Sequence, residues 1–430
     1  MKIVLIGAGS HSFGRGQIAD LLLSQELRGR GVTLALVDED PEALALMASL
    51  ARRIKEHTQS DIALTSTTDR RQALPGANYV ITAVARKRYP LWEQDFRVPL
   101  AHGFKHVLGE NGGPGALFHA LRSLELVIPI CRDVERLCPD ALLLNFTNPE
   151  ARVLHAILHL TKVKAAGICH GVFEAERWIC RYLRAEREQL DIVSAGMNHF
   201  YCILRVTDRA TGNDRLGELL QKVREDGSPE TPPLFKKLAE VFGVFTFPSD
   251  DHIGEYLSFG AEYHGTKWHY GQESRRVRPG ETARPSPLIE CAEGRAPVTP
   301  ELLAPSGEIT VPVICDIELN RGARRSAVNV LNRGSYIENL PREAVVEVPA
   351  LVDARGILPL PVGPVPETFA AYMRTQFTIH SLITEAYRTR ERKLLLQALL
   401  LDPCVNSITE AEKLLNEMLE LQQDFLPSFE

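Results

Sequence analysis

The chain has 430 residues, 44% hydrophobic and 24% charged, with a formal net charge of −6. That balance excludes a disordered, collagenous or disulfide-dense protein, and it leaves no basic footprint for nucleic acid or an anionic membrane. The length suits two domains sharing a seam. Eight cysteines are scattered without C-x-x-C or zinc-ribbon spacing. No apolar run reaches the roughly 20 residues of a bilayer span, and the start, MKIVLIGAGS, lacks a signal-peptide pattern. A cytoplasmic protein with reduced thiols is expected.

In chain order, Lys2–Ile6 reads as a short apolar strand, followed by Gly7-Ala8-Gly9-Ser10 and a helix over 13–26. The first glycine permits a tight turn, and the second lets backbone approach a pyrophosphate at the helix N-terminus. Ser12 stands where the usual fingerprint has its third glycine. A second strand at 32–37 ends at Asp38, the expected place for holding a ribose diol. Asp38-Glu39-Asp40 would repel a 2′-phosphate, which favours NAD over NADP. A tight βα turn without a ligand is the bland alternative.

A helix at 41–57 and a strand at 79–84 follow. Next comes Gly109-Glu110-Asn111-Gly112-Gly113-Pro114-Gly115, opening a helix at 117–137. So many glycines bring backbone close to something, so the segment reads as a site wall, with Asn111 as a substrate contact. A strand at 141–144 runs into Asn145-Phe146-Thr147-Asn148-Pro149, at the sheet edge where ligands of such folds bind. Asn145 is assigned to cofactor and Asn148 to substrate. A helix at 150–160 and a strand at 164–168 then deliver Cys169-His170-Gly171. Short apolar strands alternating with amphipathic helices predict an α/β, Rossmann-type, doubly wound parallel sheet over residues 1–190.

Residues 191–430 read as a mixed α+β domain for substrate, metal and oligomerisation. Strands are predicted at 192–195, 201–206 and 311–314, a Pro/Gly/Arg-rich stretch at 273–300, and helices at 367–399 and 407–421. The strand at 192–195 runs into Gly196-Met197-Asn198-His199. Cys169 and His199, at successive strand ends, can share one divalent ion, with substrate oxygens filling its other positions. Equally, a buried Cys is a small hydrophobe and a lone His an ordinary core residue.

Taken together, these segments resemble glycoside hydrolase family 4, the NAD- and metal-dependent glycosidases. The resemblance spans nearly the whole chain: GAGS at 7–10, VPLAHGFKHVLGENGGPG at 98–115, NFTNPE at 145–150 and CHGVF at 169–173. GMNHF at 196–200, DHIGEY at 251–256 and NRGSYIENLPREAVVEVP at 332–349 continue it in order. It implies that Cys169 and His199 bind Mn²⁺ or another divalent metal, and that Asn148 touches the sugar. It also implies a tyrosine base in the second half, placed at Tyr256 with His252 as rival. Family members acting on 6-phosphoglycosides follow the metal Cys with Asp and a nearby Pro. Here His170 and Gly171 take those places, as in members acting on unphosphorylated α-galactosides, α-glucosides and α-uronides. The Asp acid of the phospho branch is thus missing, and His170 is the candidate general acid.

The implied chemistry is oxidation, elimination, addition and reduction rather than the paired-carboxylate route. NAD takes hydride from sugar C3, a base removes the C2 proton, the C1 group leaves, water adds, and the hydride returns. A small-molecule α-glycoside is the expected partner, within a homo-oligomer (dimer or tetramer). The main alternative is an NAD-dependent 2-hydroxy-acid dehydrogenase of the lactate/malate type, recruiting Arg86, Arg88 or Arg97. A non-catalytic NAD sensor is a second. Arg321, Arg324, Arg325 and Arg333 could pair a uronate carboxylate, but a solvated face or a subunit contact is the favoured reading.

Overall fold

A computed structural model describes residues 1–268, 270 and 286–430; residues 273–285 of the Pro/Gly/Arg-rich stretch lie outside them. Among the described residues eleven strands form a single sheet. They are β1 (Lys2–Ile6), β2 (Thr33–Val37), β3 (Ala63–Thr67), β4 (Tyr79–Thr82), β5 (Leu142–Asn145), β6 (Lys164–Gly167), β7 (Leu190–Met197), β8 (Phe200–Asp208), β9 (Ala323–Leu331), β10 (Val345–Asp353) and β11 (Gly356–Pro359). The order is β3-β2-β1-β4-β5-β6-β9-β10-β7-β8, with β11 paired to β10. The first six strands are parallel.

Residues of β1 alternate between two cores. Val4 and Ile6 join the helices Gly115–Leu137, Glu150–Leu160 and Glu367–Thr389, whereas Ile3 and Leu5 join Phe13–Leu23, Pro41–Thr58 and Thr310–Glu318. Burial on both faces is why β1, β2, β4 and β5 are almost wholly apolar. The strand order reverses between β1 and β4. That switch point opens a crevice at the carboxyl ends of the strands, where doubly wound sheets bind ligands.

The sheet runs on past residue 190. β9 pairs antiparallel with β6 at Gly167↔Asn329, then with β10, which in turn meets β7. Residues of the second half therefore complete the sheet begun by the first. This fixes the β7–β8 hairpin, and the turn at its tip, relative to the end of β6.

Several sequence expectations change here. Residues 311–314, expected as a strand, lie in the helix Thr310–Glu318, where Val313, Ile314 and Cys315 are fully buried. A short apolar run does not distinguish the two forms by periodicity, and Pro312 is tolerated in a first helical turn. β3 was not expected, because its exposed, polar ALTST pattern belongs to a sheet edge. The helix expected over 367–399 is two, Glu367–Thr389 and Arg392–Leu401, separated by left-handed Arg390 at φ 65°.

One buried ion pair ties the wall of the crevice together. Arg122 forks onto Asp95, with Nη1 2.9 Å from Oδ1, and also donates to Gln422 Oε1 at 2.6 Å. Asp95 has no exposure, so truncating the arginine leaves a buried carboxylate with no counter-charge and only the Gln422 amide, at 3.1 Å, to donate to it. Arg122→Ala should cost about 3–5 kcal/mol in chemical denaturation. Loss of less than about 1 kcal/mol would show the pair to be dispensable.

Candidate active-site cleft

A cleft of about 1140 Å³ follows the crevice. At one end it is floored by the first βα turn. The N–H groups of Gly7 and Ala8 both donate to Val37 O, at 2.9 and 3.0 Å, which folds the turn onto the end of β2. Gly7 sits at φ +93°, and a Cβ there would run into the carbonyl of Ala83. Gly9 N donates to Asp38 Oδ2 at 2.8 Å, and Ser10 Oγ accepts from Phe13 N at 3.2 Å. Asp40 caps the next helix, accepting from Glu42 N and Ala43 N. Gly7, Gly9, Ser10 and Asp38 all line the cleft. A backbone cradle with a carboxylate beside it, at the end of a helix, fits the diphosphate and ribose of a dinucleotide.

At the other end the strand termini of β6 and β7 meet. Cys169 Sγ lies 3.3 Å from His199 Nε2. His199 occupies the two-residue turn between β7 and β8 in the left-handed region, φ +63°. Its neighbour Asn198 anchors that turn by donating to Glu347 Oε1 at 3.4 Å. Burial, helped by the neighbouring His252 and His170, holds the His199 imidazole well below its usual range. Neutral imidazole is the ligating form. Burial pushes the Cys169 thiol well up, with Glu347 and Glu308 adding to it. A thiolate here therefore needs a compensating cation. Among the described residues no cluster of three or more His, Cys, Asp or Glu could hold a metal. A two-donor site leaves several coordination positions for water or substrate oxygens, as catalytic metal sites require.

Around this pair the cleft wall carries titratable groups. His170 is 58% exposed at its side chain and bonds Glu308 Oε1 through Nδ1 at 2.9 Å. That bond raises its pKa against the effect of burial. His252 stands edge-on to His199, ring centres 4.7 Å apart, and its Nδ1 bonds Asp251 Oδ1 at 2.7 Å. Tyr270 Oη donates to the other oxygen of Asp251 at 2.7 Å. Asn148 donates to Glu110 Oε1 at 3.4 Å, and Arg88 bonds the same oxygen at 3.0 Å.

Three residues singled out in the sequence stand behind the wall rather than on it. Asn145 is fully buried; its Oδ1 accepts from Thr82 Oγ1 and Thr147 N, both at 3.2 Å, which shapes the loop carrying Asn148. Asn111 is 4% exposed with neither side-chain amide atom partnered, while its backbone N–H donates to Glu255 Oε1 at 2.9 Å. Tyr256 is buried, its hydroxyl donating to Asn198 O at 3.4 Å. Conversely Glu110, Glu150, His119 and Glu308 line the cleft, although none was singled out from the sequence. The adjacency of Glu110 and Glu150 to the glycine-rich and Asn-Pro motifs was the available signal. Of the four arginines considered for a uronate carboxylate, Arg321 pairs with Glu26, Arg324 with Asp191 and Arg325 with Asp316, and none of the four lines the cleft.

The family 4 glycosyl hydrolase model matches residues 2–185, and the model of that family's C-terminal domain matches residues 194–405. The chain belongs to family 4 of the glycosyl hydrolases. An alpha-glucosidase of Erwinia rhapontici is 30% identical over 99% of this chain and 98% of its own length. An alpha-galactosidase of Bacillus subtilis is 29% identical over 100% of this chain and 99% of its own. Among solved structures, a 6-phospho-alpha-glucosidase from gut microorganisms, in complex with NAD and Mn²⁺, shares the fold with a TM-score of 0.85 at 21% identity, covering 100% of this chain and 99% of that one.

Membership makes the chain a glycosidase and displaces the dehydrogenase alternative. The arginines that alternative would recruit are each ion-paired: Arg86 with Glu39, Arg88 with Glu110 and Arg97 with Glu93. No helix among the described residues is long and apolar enough to cross a membrane.

Proposed function

We propose that this family 4 hydrolase cleaves unphosphorylated α-glycosides, using NAD held at the Gly7–Ser10 turn and a divalent cation, Mn²⁺ for preference, held by Cys169 and His199. The observation that carries this reading is the joining of a dinucleotide cradle and a Cys–His pair in a single cleft. The named activities of the alpha-glucosidase and alpha-galactosidase relatives support the substrate class. When bound, NAD⁺ would supply reversible hydride acceptance, the oxidised sugar having an acidic neighbouring C–H, and the cation would supply polarisation of adjacent oxygens.

The chain's own residues do the rest. Asn148, beside Glu110, orients the sugar hydroxyls. His252 takes the C2 proton: its Nδ1 is fixed by Asp251, which leaves Nε2 as the acceptor. Tyr256, the base suggested by the family pattern, acts through the Asn198 carbonyl, steadying the turn that carries His199. His170 protonates the departing glycosidic oxygen, since its Glu308 partner keeps it protonated to higher pH.

Hydrolysis of a nitrophenyl α-glycoside should require NAD and Mn²⁺ together, and chelation should abolish it reversibly. Full activity without either would refute the reading. Asp38→Ala should weaken NAD⁺ binding roughly 10- to 100-fold in calorimetric titration, because a charged ribose contact is lost. Unchanged affinity would show that the turn had been misread. Eight free cysteines, one of them a ligand, suit a reducing compartment, so we place the enzyme in the cytoplasm. We take it to be a homodimer or homotetramer, which light scattering measures directly.

A further inference from the structure

Glu150 is the one buried acid of the cleft wall to which the reaction outlined above gives no task. It opens the helix Glu150–Leu160 directly after Asn148-Pro149 and is 2% exposed. Neither carboxyl oxygen makes a hydrogen bond of good geometry, the Asn145 side chain being the neighbouring donor. The carboxyl lies against the backbone of Gly167, where a Cβ would run into Oε1. Gly167 is the last residue of β6, in register with Asn145 of β5, and two residues before Cys169. The acid is thus fixed under the carboxyl ends of β5 and β6, between the glycine turn of β1 and the Cys169–His199 pair.

Among the described residues Glu150 makes no ion pair. Burial, and then the charge of Glu347, push its pKa well above the usual carboxylate range. A buried acid that the protein leaves without a cation is costly, and native proteins rarely keep one without use. In a doubly wound sheet the pyrophosphate rests on the first turn, and the dinucleotide lies across the crevice at the strand ends. With the adenosine side taken by Asp38 at the end of β2, the nicotinamide half extends the other way, over β4, β5 and β6. The nicotinamide ring is a cation in NAD⁺ and neutral in NADH.

We propose that Glu150 is the counter-charge of the nicotinamide ring, so that the enzyme holds NAD⁺ more tightly than NADH. The inference rests on the NAD reading above. Direct contact is not required: a charge buried as Glu150 is acts over several ångströms with weak screening. Burial and Glu347 favour the neutral acid, and a cationic ring alongside favours the carboxylate, so the counter-charge develops with NAD⁺ and not with NADH. The consequence is a resting enzyme loaded with the oxidised cofactor, the form that begins a turnover, while the reduced form is held less firmly and returns its hydride more readily.

The test is calorimetric titration of wild type and Glu150→Gln with NAD⁺, NADH and ADP-ribose. Wild type should prefer NAD⁺ to NADH. Glu150→Gln should lower the ratio of their affinities about ten-fold, through-space charge being removed from one form only. ADP-ribose, which lacks the ring, should bind both proteins alike, and Glu150→Asp should keep the preference. A wild-type enzyme that binds NAD⁺ and NADH equally would overturn the proposal, even if the glutamine variant does not fold. An unchanged ratio in Glu150→Gln would overturn it too, leaving Glu150 as a structural acid. Failure of wild type to bind NAD⁺, NADH and ADP-ribose would instead defeat the NAD reading itself.

Discussion

Cys169→Ser should fold, bind NAD⁺ as wild type does, and lose turnover by on the order of a thousand-fold or more. The sulfur lies 3.3 Å from His199 Nε2, so the pair is already assembled as a two-donor site. Serine keeps the shape but offers a hydroxyl that stays protonated at neutral pH and ligates a divalent cation poorly beside an imidazole. Polarisation of substrate oxygens by a cation contributes several kcal/mol to such reactions, which sets the size of the loss. Equilibrium dialysis with Mn²⁺ separates the causes: the variant should retain NAD⁺ affinity while metal affinity collapses. Activity within a few-fold of wild type would remove the metal-site assignment.

His252→Gln should lower turnover by roughly 10²- to 10⁴-fold, the usual worth of a positioned proton acceptor. Glutamine can still occupy the space beside His199, but it cannot take a proton. Tyr256→Phe should cost far less, because that hydroxyl is buried and meets only the Asn198 carbonyl, at 3.4 Å. The two variants therefore rank the two candidates. A severe loss in Tyr256→Phe with a mild one in His252→Gln would move the base to the phenol.

The alternation of strand and helix made the parallel half of the fold readable, because β1, β2, β4 and β5 are buried on both faces and carry little but apolar residues. β9 and β10 escaped notice. Ala-Arg-Arg-Ser at the start of β9 is only partly buried, and its partner in the first half, β6 at Gly167↔Asn329, lies far away in sequence. That long-range pairing joins the two halves into one sheet. The site was legible where a motif coincides with a strand end, as at Gly7, Asp38, Asn148, Cys169 and His199. Such positions face the crevice by topology alone.

Asn145, Asn111 and Tyr256 belong to the same motifs, yet the structure turns them inward. Sequence adjacency does not say which side of a loop a side chain takes. Glu150 and Glu308 show the converse. Glu150 reaches the cleft beside the Asn148-Pro149 motif, and Glu308 by tertiary packing, meeting His170 across 138 positions of sequence.

The account turns on breaking the C2–H bond of the sugar before the glycosidic bond is cut. Turnover of an α-glycoside in heavy water, followed by proton magnetic resonance of the released sugar, reads this directly. The sugar should carry deuterium at C2, and a substrate labelled at C2 should lose its label in ordinary water, with both exchanges suppressed in His252→Gln. Hydrolysis that leaves the C2 hydrogen wholly retained would mean direct displacement at C1, and would contradict the mechanism whatever the roles of NAD and metal.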